Sequence, residues 1–132
     1  MKRDLNRRPR RSKLAAQWFG RVAEQVAVCW LRLKFYHIVA RRHRSGLAGA
    51  GEIDIVARKG GILAIIEVKA RTDMIDAAWA LDRRQRERLA KGALSLLASH
   101  PDWVALDVRF DLILVAPWRL PRHVIGAWRD GD

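Results

Sequence analysis

Two apolar strands joined by a pair of glycines constrain this chain most. Residues 52–58 read EIDIVAR and residues 62–69 read ILAIIEVK, with Lys59, Gly60 and Gly61 between them. Gly-Gly is a favoured two-residue hairpin turn, and the flanking β-branched residues favour extended backbone. Side chains alternate along a strand, so Glu52 and Asp54 share one face, and Glu67 and Lys69 share one face. A turn at Gly60-Gly61 sets Asp54 opposite Glu67 and Glu52 opposite Lys69. A turn one residue earlier sets Glu52 opposite Glu67 instead.

Either way, acidic groups meet among core-forming neighbours (Ile53, Ile55, Ile65, Ile66 and Val68), where like charges repel. A divalent cation between Asp54 and Glu67 removes the conflict, and oxygen ligands suit Mg²⁺ or Mn²⁺ rather than zinc. Lys69 would then position or help deprotonate an attacking water, or offset charge on a pentavalent phosphate. Phosphodiester hydrolysis follows from that set. The plainer alternative is an exposed hairpin in which Glu52, Asp54, Glu67 and Lys69 form cross-strand salt bridges.

The rest of the chain supplies the flanks of a sheet. Residues 14–33 carry Phe19, Val22, Ala23, Val26, Trp30 and Leu33 at steps of three and four, which predicts a buried helix with Arg21, Gln25 and Arg32 outside. Glu24 stands at the border of that arc, one turn after Gly20. It could reach a metal through water, or pair with a nearby arginine on the surface. Residues 36–42 read as a strand and RSGLAGAG, 44–51, as a loop. A second loop carries Thr72, Asp73 and Asp76. The second helix spans 83–99; Asp82 with Gln85 makes a capping-box start, and Leu89, Ala93, Leu96 and Leu97 form its apolar stripe. Gln85 could alternatively point toward the acidic site. Strands follow at 108–115, with Phe110, Leu112 and Leu114 on one face, and at 123–128. The order is α-β-β-β-α-β-β, an α/β pattern. Asp111, a polar residue in an apolar strand, reads as structural. The dispersed histidines show no metal-ligand spacing, and the tryptophans read as packing or rim residues.

Charge points to the partner. Lys plus Arg number 26 against 14 Asp plus Glu, a net +12. This excess favours polyanions, above all nucleic acid. Residues 1–13 form a basic arm with Arg7, Arg8, Arg10 and Arg11 suited to phosphates, and 14–132 form the domain. Arg84, Arg88 and Lys91 make a basic stripe on the second helix. Cys29 lies in an apolar stretch and is expected to be a buried structural thiol in a reducing compartment. The longest early apolar run, 26–31, is too short for a signal-peptide core or a membrane span, so the expectation is a cytoplasmic protein without a membrane partner.

The segments GEIDIVA, IIEVKART, RRQRERLAKGALSLL and VRFDLILV, in this order and with Gly20-x-x-x-Glu24 before them, resemble the YraN-like family of small bacterial proteins. That family resembles the PD-(D/E)xK nucleases and, among them, archaeal Holliday junction resolvases. The match covers about residues 14–128. It implies a restriction-endonuclease-like fold, a mixed central sheet flanked by helices. It implies Asp54 and Glu67 as ligands of Mg²⁺ or Mn²⁺, Lys69 as the catalytic lysine and Glu24 as the helix glutamate of the resolvase-like branch. The implied activity is endonucleolytic cleavage of DNA, with branched DNA a candidate substrate, and a resolvase-like role predicts a two-fold homodimer. Glu52-Ile53 replaces the Pro-Asp that names the superfamily, and Gln85 stands where many relatives have a lysine. The alternative is a nuclease-fold module that binds DNA or RNA without cutting it. A weaker alternative is a basic partner of another protein.

Overall fold

The computed structural model describes residues 10–44, 49–71 and 81–129. Helix α1 spans Arg10–Leu33, and strands β1, β2 and β3 span His37–His43, Ile53–Lys59 and Ile62–Ala70. Helix α2 spans Arg83–Ala98 and is followed by a short 3₁₀ turn, Pro101–Trp103. Strands β4 and β5 span Asp107–Val115 and Arg122–Trp128. The expected element order holds. The first helix begins at Arg10, inside the stretch expected to be an arm.

The five strands form one mixed sheet in the order β1-β2-β3-β4-β5. All neighbours are antiparallel except β3 and β4, which run parallel because α2 connects them. The β2–β3 register runs from Ile55 opposite Ile66 to Lys59 opposite Ile62, so Gly60-Gly61 is the turn. Gly60 has φ +57, a conformation that costs a glycine little.

Helices cover both faces, which is the restriction-endonuclease-like α/β arrangement. Against one face lie Ala23, Ala27, Val28 and Leu31 of α1, over Ile55, Ala57, Ala64, Ile66, Ile113 and Val115. Against the other lie Leu89, Ala93 and Leu96 of α2, over Leu63, Ile65, Phe110, Leu112 and Leu114. Central β3 is buried on both faces, hence its unbroken apolar run. Among the described residues no helix is long and apolar enough to cross a membrane.

Two sequence expectations for α1 need correction. The buried stripe is Ala23, Glu24, Ala27, Val28 and Leu31, whereas Leu33 is 73% exposed. Small alanines let the helix approach the sheet, so the contact face is not the one with the bulkiest side chains. Cys29 is exposed, not buried. It falls on the outer stripe with Arg21, Gln25 and Arg32, and its sulfur accepts a hydrogen bond from Gln25 Nε2 at 3.6 Å.

Helix α2 starts as expected. Asp82 accepts from Gln85 N at 2.8 Å, and Gln85 Oε1 accepts from Asp82 N at 3.2 Å. Between β1 and β2 the chain passes close over α2. A Cβ on Gly51 would sit 3.2 Å from Arg88 Cβ, and one on Gly92 would sit 3.3 Å from the Gly51 carbonyl oxygen. This contact anchors the start of β2.

Candidate metal and phosphodiester site

The site begins with an irregularity in β2. Ile53 packs toward α2 and Ile55 toward α1, although strict alternation would put them on one face. The strand turns over at Asp54. Its carboxylate lies against β3, where Oδ2 accepts from Val68 N at 2.8 Å. One step beyond the last paired residues, the Asp54 and Glu67 carboxyl groups come within hydrogen-bonding reach of each other.

Burial favours protonation of this pair. It raises the Asp54 carboxyl above its ordinary range, and the charge of Glu24 adds to the rise; the Val68 amide, the Glu67 bond and Lys69 oppose it. Glu67 is pushed up to about 8 by burial and then by the Asp54 charge, against relief from Lys69. Lys69 Nζ stands 3.4 Å from Glu67 Oε1, both side chains about one-sixth exposed. Two hard oxygen donors side by side in a half-buried position fit a divalent cation that keeps most of its water, as Mg²⁺ does. Among the described residues no group of three or more His, Cys, Asp or Glu side chains converges on one point.

Glu24 has partners of its own. It is only 8% exposed, and Arg42 Nε donates to both its oxygens at 3.0 and 3.2 Å, with Arg41 Nη2 at 3.4 Å. Arg44 Nε pairs with Glu52 Oε2 at 3.0 Å. The expected pairing of Glu52 with Lys69 is therefore replaced by Glu52 with Arg44. The reason is that β2 begins at Ile53 and Glu52 lies outside the ladder.

Two clefts flank the carboxylates and share Glu52. One, of about 550 Å³, is lined by Gly20, Arg21, Glu24, Arg42, Arg44 and Glu52. The other, of about 160 Å³, is lined by Gly51, Glu52, Glu67, Gln85, Arg88 and Leu89. Gln85 thus both caps α2 and borders the site. Arg84, Arg88 and Lys91 are exposed, and Arg88 reaches the same cleft as Glu67. Arg7 and Arg8 lie outside the described residues, as do Thr72, Asp73 and Asp76, and Arg10 and Arg11 stand in the first turn of α1.

Sequence reasoning missed Arg41, Arg42 and Arg44. The signal was the basic run Arg41-Arg42-His43-Arg44, readable in the chain but not assignable to Glu24 without the fold.

Gly20 offers a local test. It is exposed in α1, and a Cβ there meets nothing within 4 Å. Gly20→Ala is expected to raise stability by about 0.5–1 kcal/mol, because alanine loses less backbone entropy in a helix. Urea unfolding followed by circular dichroism measures it; a loss of stability would mean that α1 is not helical at this point.

Comparison with known proteins agrees with this architecture. The model of the uncharacterised protein family UPF0102 matches residues 23–115. A UPF0102 protein of Paramagnetospirillum magneticum is 49% identical over 92% of this chain and 95% of its own length. One from Parvibaculum lavamentivorans is 50% identical over 88% and 85%, and one from Bartonella tribocorum 39% identical over 88% and 87%. The matched span runs from the buried part of α1 to the end of β4 and includes Glu24, Asp54, Glu67 and Lys69; the chain belongs to the uncharacterised UPF0102, or YraN-like, family.

Proposed function

We propose that this protein is a Mg²⁺- or Mn²⁺-dependent endonuclease acting on DNA, with branched DNA among its substrates. The observation that carries the reading is the half-buried Asp54–Glu67 carboxyl pair with Lys69 Nζ 3.4 Å from Glu67 Oε1. Desolvation and mutual repulsion make such a pair costly unless something uses it.

Asp54 and Glu67 would hold the cation. When bound, it polarises a phosphoryl oxygen and acidifies its water. Lys69 would lie beside the attacking water, orienting it and offsetting charge on the phosphate. In the reaction the water oxygen would bond to phosphorus and give up a proton to solvent, while the bond from phosphorus to the leaving sugar oxygen breaks and that oxygen takes a proton from solvent. Arg84, Arg88 and Lys91, with Arg7, Arg8, Arg10 and Arg11 of the N-terminal stretch, neutralise neighbouring phosphates. Their use makes binding fall steeply with salt. A resolvase-like action on a two-fold symmetric junction would call for a homodimer.

A second reading has one observation behind it. Glu24 is held by Arg41 and Arg42, so among the described residues only two carboxylates face each other at the site. That arrangement suits a module that binds nucleic acid without cutting it.

The test incubates the purified protein with branched, flapped and linear DNA in Mg²⁺ or Mn²⁺. Asp54→Ala and Lys69→Ala are each expected to lower cleavage at least about a hundredfold while retaining salt-sensitive binding. Binding without cleavage in either metal would establish the module instead. Neither binding nor cleavage would overturn both.

A further inference from the structure

We propose that Arg42 is a phosphodiester-operated latch on Glu24: in the free protein it holds the Glu24 carboxylate, and an incoming backbone phosphate takes Arg42 and releases Glu24 to the Asp54–Glu67 site. This rests on the metal-site reading above and adds a residue and a switch to it.

Four observations lead there. First, Glu24 is the most enclosed of the carboxylates next to the site, and both its oxygens are taken by Arg42 Nε. A carboxylate so engaged has little left for a cation. Second, the described contacts of Arg42 use only Nε, and its side chain is 49% exposed. The guanidinium fork can still meet a phosphate, the anion whose geometry it matches best. Third, Arg42 lines the 550 Å³ cleft together with Arg21 and Arg44, so a phosphate placed there faces three cations, against Glu24 and Glu52. Fourth, Arg42 sits within β1 at φ +50, a left-handed conformation rare for a residue with a side chain. Strain of this kind persists where surrounding contacts hold it, and it collects at switching and binding sites. Here it aims the side chain of an edge-strand residue at α1.

The exchange conserves charge pairing. Arg42 gives up one anion for another, and Glu24 gives up one cation for another. Metal and phosphodiester therefore help each other bind, and linkage requires the help to be equal in both directions. The free protein keeps the cation loosely, and a nucleic acid in the cleft completes the site.

The experiment is Mn²⁺ titration of the full chain, read by the spin-resonance signal of the free ion. Asn and Gly tolerate positive φ, so Arg42→Asn and Arg42→Gly preserve β1. Both are expected to bind Mn²⁺ about tenfold more tightly than wild type without any phosphodiester. Arg44→Ala removes the same charge from the same cleft but does not touch Glu24, so it is expected to change affinity far less. The gain is expected to vanish in Arg42→Asn/Glu24→Gln. Dimethyl phosphate, a phosphodiester monoanion, is expected to tighten Mn²⁺ binding by wild type and not by Arg42→Asn. Equal effects of the Arg42 and Arg44 variants, or a gain that survives Glu24→Gln, would overturn the latch and leave the metal site standing. Mn²⁺ binding that is absent throughout, or indifferent to Asp54→Ala, would overturn the metal reading and the latch with it.

Discussion

Asp111→Ala is expected to destabilise the protein by about 3–5 kcal/mol, the largest effect of any single substitution named here. Asp111 is fully buried on β4 and accepts four hydrogen bonds. They come from Arg109 Nε at 2.9 Å and Nη2 at 2.8 Å, His123 Nε2 at 2.8 Å and Gly126 N at 2.9 Å. Arg109 Nη2 also donates to the Tyr36 hydroxyl at 2.6 Å, and His123 Nδ1 lies 2.7 Å from Lys34 Nζ. One carboxylate thus ties β4, β5, the end of α1 and the entry to β1. Alanine would take away the oxygens that meet the Arg109 guanidinium, the His123 imidazole and the Gly126 amide, leaving Arg109 only the Tyr36 hydroxyl. Burial by itself would raise the Asp111 carboxyl, but the His123 and Arg109 bonds and the Gly126 amide together hold it below its ordinary value. A depressed carboxyl adds stability above its unfolded value of 3.8 and loses it as pH falls further. Wild type should therefore lose stability on acidification through this range, and Asp111→Ala should lose less. Urea midpoints across that range test both statements. A variant within about 1 kcal/mol of wild type would show that the network carries little.

The second large effect is the response of the Asp54–Glu67 pair to pH and metal. Glu67 is raised from 4.5 to about 8. A raised carboxyl means that the folded state binds its proton more tightly than the unfolded chain does. Its contribution to stability is complete below 4.5, declines as pH climbs, and is gone above 8. In a chelating buffer the protein is expected to lose on the order of 5 kcal/mol across this window. A divalent cation competes with the same proton. Its stabilising effect should grow through the window, with about one proton released per ion bound, and level off above the Glu67 value. Glu67→Gln should be more stable than wild type in chelator at pH above 8, equal to it in mild acid, and insensitive to Mn²⁺. Thermal melts with and without Mn²⁺ give all three comparisons. A flat pH profile in chelator would mean that the two carboxyls do not share a proton.

The hairpin was legible because its information is local. Alternation, β-branched residues and a glycine pair placed the hairpin and narrowed its register to two, of which the folded chain takes Ile55 opposite Ile66. The Asp82–Gln85 cap and the face of Phe110, Leu112 and Leu114 were legible for the same reason: each is decided within one turn or one strand. Helix α1 was less so. Its sequence has apolar residues around much of its circumference, and hydrophobicity alone favoured Trp30 and Leu33 over Ala27. The sheet selected the face with small side chains, because close approach buries more atoms than bulk held at a distance. That choice moved Glu24 inward and left Cys29 outside.

The sequence by itself determined the elements and narrowed the hairpin to two registers, since these depend on residues close along the chain; the ladder that sets Ile55 opposite Ile66 brings Asp54 to Glu67 rather than Glu52. Only the tertiary structure decided that Arg41 and Arg42 close on Glu24, that Arg44 takes Glu52, and that Asp111 gathers Arg109, His123 and Gly126. Apart from the strand neighbours Arg109 and Asp111, these partners lie between eight and eighteen residues apart; β4–β5 pairing brings His123 and Gly126 to Asp111, and the angle at which α1 crosses the sheet brings Glu24 to Arg41 and Arg42. No local pattern encodes that angle; it follows from which side chains let the layers pack most closely.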